Sequence, residues 1–169
     1  MALTNPDAAQ PAEAAPASED HKAGSLDLRL WIRLLGSAKL IEKRLRRNLQ
    51  DQFGTTLPRF DVLATLERTG QGMTMGALSR ALLVSNGNVT SIVRQLHESG
   101  MVAVVADPDD RRSAIVSLTP HGRAQFAIYA RAHRGWVQEA LAGFAPARQR
   151  QLFELLGALR ATLRAQDGD

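Results

Sequence analysis

Cysteine is absent from the 169 residues of this chain. That excludes a disulfide framework, a zinc-thiolate centre and any sensing through thiol oxidation. No apolar run reaches about 18 residues, so none reads as a membrane span. The first residues show no basic segment leading into an apolar one, which predicts no signal peptide and a cytoplasmic location. Histidine is scarce. His21, His97, His121 and His133 have no histidine or carboxylate four residues on, so no metal is expected. No nucleophile, base and orienting group fall into a recognisable pattern, and no glycine loop could cradle a phosphate. Neither enzymatic activity nor a cofactor is expected.

What is present is unevenly placed. Residues 1–24 hold Asp7, Glu13, Glu19 and Asp20 against Lys22, so the formal net charge of +4 leaves about +7 on the remainder. Its cations are almost all arginine, which suits phosphate and base-edge contacts better than lysine does. An arginine-rich coding bias would produce the same count, so position has to decide. The first 24 residues are rich in Ala and Pro, with Leu3 the one large aliphatic besides Met1. They cannot bury enough surface to order themselves, and are expected to form a disordered arm.

From Ser25 the pattern is helical. Leu30, Leu34, Ile41 and Leu45 recur at helical spacing, with Trp31, Leu35 and Leu49 widening the stripe, and Gly54 ends the helix. A second helix opens at "TTLPRF", with Pro58 in its first turn and Phe60, Leu63 and Leu66 inward. Thr74 can cap a short third helix, and Ser85 can cap a fourth that buries Val89, Ile92, Val93 and Leu96. About three residues separate the two, which forces a tight helix-turn-helix. "MVAVVA" and "SAIVSL" are β-prone runs around the turn chemistry of "DPDDRR", a hairpin. Thr119 then caps a helix running to about Gly143. A last helix follows Pro146, with Leu152, Leu155, Leu156, Leu159 and Leu163 along one side. The expected fold is mainly α with a small β-hairpin wing. It is a winged helix-turn-helix over 58–119, with helices from 25–57 and 120–166 forming a dimerisation lobe.

This order suits a DNA reader. The second helix of a helix-turn-helix can enter a major groove and show side chains to base edges. With its apolar face inward, the fourth helix presents Ser85, Asn86, Asn88, Thr90, Ser91, Arg94 and Gln95, none acidic. Asn and Gln can pair bidentately with adenine, and Arg with guanine. Gly87 lets the backbone come close. Arg111 and Arg112 at the hairpin tip can reach a neighbouring minor groove, and Asp110 can hold Arg112 in register. The plainer reading is a solvated helix face and an ordinary exposed turn.

"MTMGALSRALLVSNGNVTSIVRQLHESGMVAVVADPDDRRSAIVSLTPHGRA" resembles the DNA-binding core of MarR-family transcriptional regulators. The family's wing signature, Asp-x-Arg and then a strand ending Leu-Thr-x-x-Gly, matches Asp110, Arg112, Leu118, Thr119 and Gly122. "LPRFDVLATL" and "LHESGMV" resemble flanking segments, and the likeness covers about residues 26–165. The chain departs from the family around Gly87 and Asn88, which bears on which operator sequence is read. The resemblance implies a homodimer on a palindromic operator of double-stranded DNA, nucleoid-associated when bound, most often a repressor released by a small molecule. It also implies a ligand cleft built from the first, second and fifth helices. Candidates there are Trp31, Arg33, Ser37, Phe60, His133, Arg134 and Trp136. An aromatic wall with a cation suits an aromatic acid or its coenzyme A thioester. "LDLRLWIRLL" with "AHRGWV" resembles members beside aromatic-acid catabolic genes. Trp31 and Trp136 could equally be core or interface aromatics. The terminal apolar stripes could be covered by a second copy or by each other. An alternative function is a winged-helix protein-interaction module without sequence-specific DNA binding.

Overall fold

The computed structural model describes residues 25–108, 110 and 113–167. The expected disordered arm, and Arg111 and Arg112, lie outside the described residues. The chain divides into two compact units within its first helix, Met1–Ala38 and Lys39–Asp169.

Helix α1 spans Leu26–Phe53. Ser25 starts it, its Oγ accepting from the Leu28 amide at 3.3 Å. In the first unit its described residues run from Ser25 to Ala38, where Leu26, Leu28, Leu30, Trp31 and Ile32 are exposed. In the second unit its last turns bury Leu45 and Leu49. Helix α2 (Leu57–Thr69) starts on Thr56, whose hydroxyl accepts from the Arg59 amide, and stops at Gly70. Strand β1 (Met73–Thr74) leads into α3 (Met75–Leu82), capped by Thr74 through the Ala77 amide at 3.2 Å. Helix α4 (Asn86–Glu98) follows after three residues. Strands β2 (Val102–Ala106) and β3 (Ala114–Leu118) form the hairpin. The sheet order is β1-β3-β2, all antiparallel, with Val116 facing Met73 on one side and Val104 on the other. Helices α5 (Pro120–Leu141) and α6 (Pro146–Asp167) complete the chain.

Helix α2 serves two apolar clusters of the second unit. Val62, Leu63 and Leu66 meet Leu78 of α3, Val89, Ile92, Val93 and Leu96 of α4, and Val102 and Val116 of the wing. Leu57 and Phe60 meet Leu45 and Leu49 of α1 and Trp136 of α5. Each such side chain contributes roughly 1.5–3 kcal/mol when fully buried. The turn between α3 and α4 is therefore held from beneath.

That turn carries strain. Leu83 adopts φ 55°, in the left-handed region, and is 92% exposed. A β-substituted residue there costs about 1–2 kcal/mol. Leu83→Gly is expected to raise stability by about 1 kcal/mol or slightly less, because Gly regains some unfolded-state entropy. Urea unfolding of the two proteins checks this; a loss of stability would show that the Leu83 side chain makes contacts that outweigh the strain.

Candidate nucleic-acid interface

Helix α4 buries the four residues expected from its spacing, Val89, Ile92, Val93 and Leu96. Its opposite side is polar. Ser85, Asn86, Asn88, Thr90 and Arg94 are exposed, and Ser91 and Gln95 are half-buried. The first acid on the helix is Glu98, in its last turn. Two side chains are less free than their positions suggest. The Thr90 hydroxyl donates to the Asn86 carbonyl at 2.9 Å. The Gln95 amide oxygen accepts from Arg59 Nε at 3.1 Å and from its Nη2 at 2.8 Å. That occupies the acceptor half of the bidentate adenine contact expected of Gln95. Ser85 also departs from expectation. It is the N-cap residue, but its side chain makes no capping bond. The turn is instead tied by the Ser79 hydroxyl, which donates to the Val84 carbonyl.

The hairpin turn closes on itself. The Asp107 amide donates to Ser113 O at 3.0 Å, and the Ser113 amide donates to Asp110 O at 2.8 Å. The expected pairing of Asp110 with Arg112 involves a residue outside the described ones. At the other end of the wing, Thr119 joins three elements. Its hydroxyl donates to Gly100 O at 2.7 Å, beside the end of α4, and accepts from the Gly122 amide at 2.9 Å at the start of α5. Its own amide donates to Met101 O at 3.1 Å. A Cβ on Gly122 would overlap that same Met101 carbonyl. The Leu-Thr-x-x-Gly signature thus has a physical cause: it seats α5 against the turn that links α4 to the wing.

The candidate ligand residues fall in both units. Trp31, Arg33 and Ser37 lie in the first unit and are exposed. In the second unit Phe60 and Trp136 are buried in one apolar cluster. Phe53 fills the space beside Trp136, with ring centroids 6.0 Å apart. His133 stacks on Phe60 at 4.4 Å, and burial lowers its pKa, favouring the neutral ring. Arg134 is exposed on α5.

A cavity of 250 Å³ beside α4 was not expected. Its apolar walls include Leu57, Pro58, Leu82, Val84 and Ile92, and its polar groups are Glu42, Arg46, Asp61 and Asn88. Burial, reinforced by the charge of Glu42 and opposed by Arg46, pushes the Asp61 carboxyl up to about 6. The sign is clear. The folded protein binds this proton more tightly than the unfolded chain, so the contribution to stability is fully present at low pH and is lost as pH rises through about 6. Asp61→Asn is expected to melt higher than wild type at pH 7.5, with the difference shrinking as pH falls below 6. A difference independent of pH would show that Asp61 is not the titrating group.

A helix-turn-helix whose second helix shows a polar face, followed directly by a hairpin on a three-stranded sheet, defines a winged-helix fold. Comparison with known proteins narrows the class. The sequence profile of the MarR family matches residues 53–113. The transcriptional activatory protein BadR of Rhodopseudomonas palustris is 35% identical over 119 residues, 69% of this chain and 67% of BadR. The regulator PecS of Dickeya dadantii is 26% identical, over 79% of this chain and 82% of PecS. The fold matches that of Sco3205, a MarR-family regulator of Streptomyces coelicolor solved in complex with DNA. That match has a TM-score of 0.73 and 21% identity, and covers 87% of this chain and 94% of Sco3205. The chain belongs to the MarR family of winged-helix transcriptional regulators. Transcription regulation through DNA binding, rather than catalysis, is the function class this membership gives.

Proposed function

We propose that the protein is a homodimeric, ligand-responsive regulator that binds a palindromic operator and is released from it by a small aromatic acid or the corresponding coenzyme A thioester, acting as a repressor in the cytoplasm. The observation that carries the DNA half is the exposed face of α4, free of acids from Asn86 to Gln95 and set directly before the wing. In this reading Asn86, Asn88 and Arg94 face base edges. Ser85, Thr90 and Ser91 face phosphates or thymine methyls. Arg111 and Arg112, between β2 and β3 in sequence, reach the adjoining groove, with Asp110 in support. The DNA-binding lobe is residues 58–119.

Dimerisation, by residues 25–57 and 120–166, is supported by apolar side chains that are exposed among the described residues. Leu26 is 76% exposed in the first unit, and Phe153 and Leu155 are 78% and 68% exposed on α6. Apolar surface of that extent usually marks an interface, and a two-fold pair would space two copies of α4 about one DNA turn apart. The candidate residues for the aromatic acid are Trp31, Arg33 and Ser37 of the first unit and Phe60, His133, Arg134 and Trp136 of the second. Ligand binding would favour a conformation with misplaced recognition helices, and a coupling of about 1–3 kcal/mol suffices.

Thermal melting of the purified protein against benzoates, salicylates, hydroxycinnamates and their coenzyme A thioesters tests the ligand half. A compound that binds only the folded dimer raises the melting point by mass action. No shift with any of them would remove the aromatic-acid reading.

A further inference from the structure

Arg59 is the third residue of α2, half-buried, and 36 positions from the side chain it touches. Both its Nε and Nη2 donate to one atom, the Gln95 amide oxygen. Among the described residues Arg59 has no carboxylate within ion-pair distance, so the guanidinium spends two donors on a neutral amide. The Gln95 amide nitrogen makes no hydrogen bond among the described residues. Gln95 is on α4, one residue beyond the exposed Arg94 and one turn beyond Ser91.

We propose that Arg59 is a positioning residue that sets what the recognition helix reads at Gln95. A free glutamine offers an acceptor and a donor together, which matches the N6 donor and N7 acceptor of adenine. With its oxygen held by two guanidinium donors, Gln95 cannot rotate its amide without breaking both bonds. It presents the amide nitrogen alone, with two hydrogens. The base edge that complements two donors is guanine, whose O6 and N7 both accept. Arg59 therefore turns Gln95 from an adenine reader into a guanine reader, without touching DNA itself. The inference rests on the reading that α4 enters the major groove.

The test selects binding sites from a randomised duplex library with the full-length wild type, Arg59→Ala, Gln95→Glu and Gln95→Ala. Wild type is expected to enrich a palindrome with guanine at one symmetry-related position. Arg59→Ala is expected to enrich the same palindrome with adenine there, a swing of about tenfold or more, with little loss on random DNA. Gln95→Glu keeps the tie to Arg59 as an ion pair but removes the donor. It is expected to melt no lower than wild type and to lose the guanine preference, as Gln95→Ala also does. Should Arg59→Ala fail to fold, the Gln95 pair decides. Loss of guanine preference with melting intact supports the assignment, and an unchanged preference overturns it. Identical sites for Arg59→Ala and wild type would overturn the proposal. So would an equal loss on every duplex, which would make Arg59 a phosphate contact or a structural residue. A wild type that enriches no sequence would instead refute groove reading by α4, and the inference with it.

Discussion

Replacing Arg94 by Ala is expected to weaken binding to the selected operator by roughly 5- to 150-fold, the equivalent of one lost bidentate contact to guanine. Arg94 is exposed on the polar face of α4, and no hydrogen bond or ion pair involving its side chain is found among the described residues. Its removal should therefore leave stability within about 0.5 kcal/mol of wild type. The effect should also be sequence-dependent. On random duplex the loss should be the smaller one expected from a single cation near phosphates. Competition titration of operator against scrambled DNA separates the two. An equal loss on both would make Arg94 an electrostatic contact only, and base reading would then fall to Asn86 and Asn88.

Among the described glycines, Gly122 is the one where an added methyl, in Gly122→Ala, is expected to destabilise most. The added Cβ would lie 2.8 Å from the Met101 carbonyl carbon and closer still to its oxygen. That neighbour is backbone, and the same oxygen accepts from the Thr119 amide, so it cannot simply rotate away. Either α5 shifts or the turn between α4 and β2 does. Overpacking of this kind costs about 1–3 kcal/mol and sometimes more, which for a chain of this size lowers the melting temperature by roughly 2–4 °C per kcal/mol. DNA affinity should fall more than stability alone explains, since the turn sets the angle between α4 and the wing. Chemical denaturation and operator titration on the same preparation measure both. Unchanged stability would mean that α5 is free to move away from Met101.

The two helices of the reading motif were readable because their information is local. Val89, Ile92, Val93 and Leu96 follow helical spacing, Thr74 and Thr119 stand before their helices, and the β-prone runs bracket a Pro-Asp turn. The short strand β1 takes its register from Val116, 43 residues away in sequence. What could not be read depends on distance in sequence. Gln95 looked like an exposed reader because nothing nearby reveals that Arg59 holds it. Asp61 looked like one more acid in "PRFD". Burial is the main cause of its raised pKa, and α1 adds the charge of Glu42. That Phe60 and Trp136 share one cluster with Leu45 and Leu49 of α1 also depends on contacts distant in sequence. Ser85 had the composition of a cap, but its side chain makes no capping bond.

Three consecutive residues of α2 end on three different elements. Arg59 holds α4, Phe60 stacks on His133 of α5, and Asp61 shares a cavity with Glu42 of α1. A shift of α2 would be felt at all three.

The central claim is that α4 reads DNA sequence. The most direct measurement is the affinity of the full-length protein for its selected operator and for a scrambled duplex, across a series of salt concentrations. The account predicts binding that weakens steeply with salt on both, because cations displace counterions from phosphates. It also predicts an operator preference of about a thousandfold or more at every salt. Equal affinity for the two duplexes, or no binding at low salt, would contradict it.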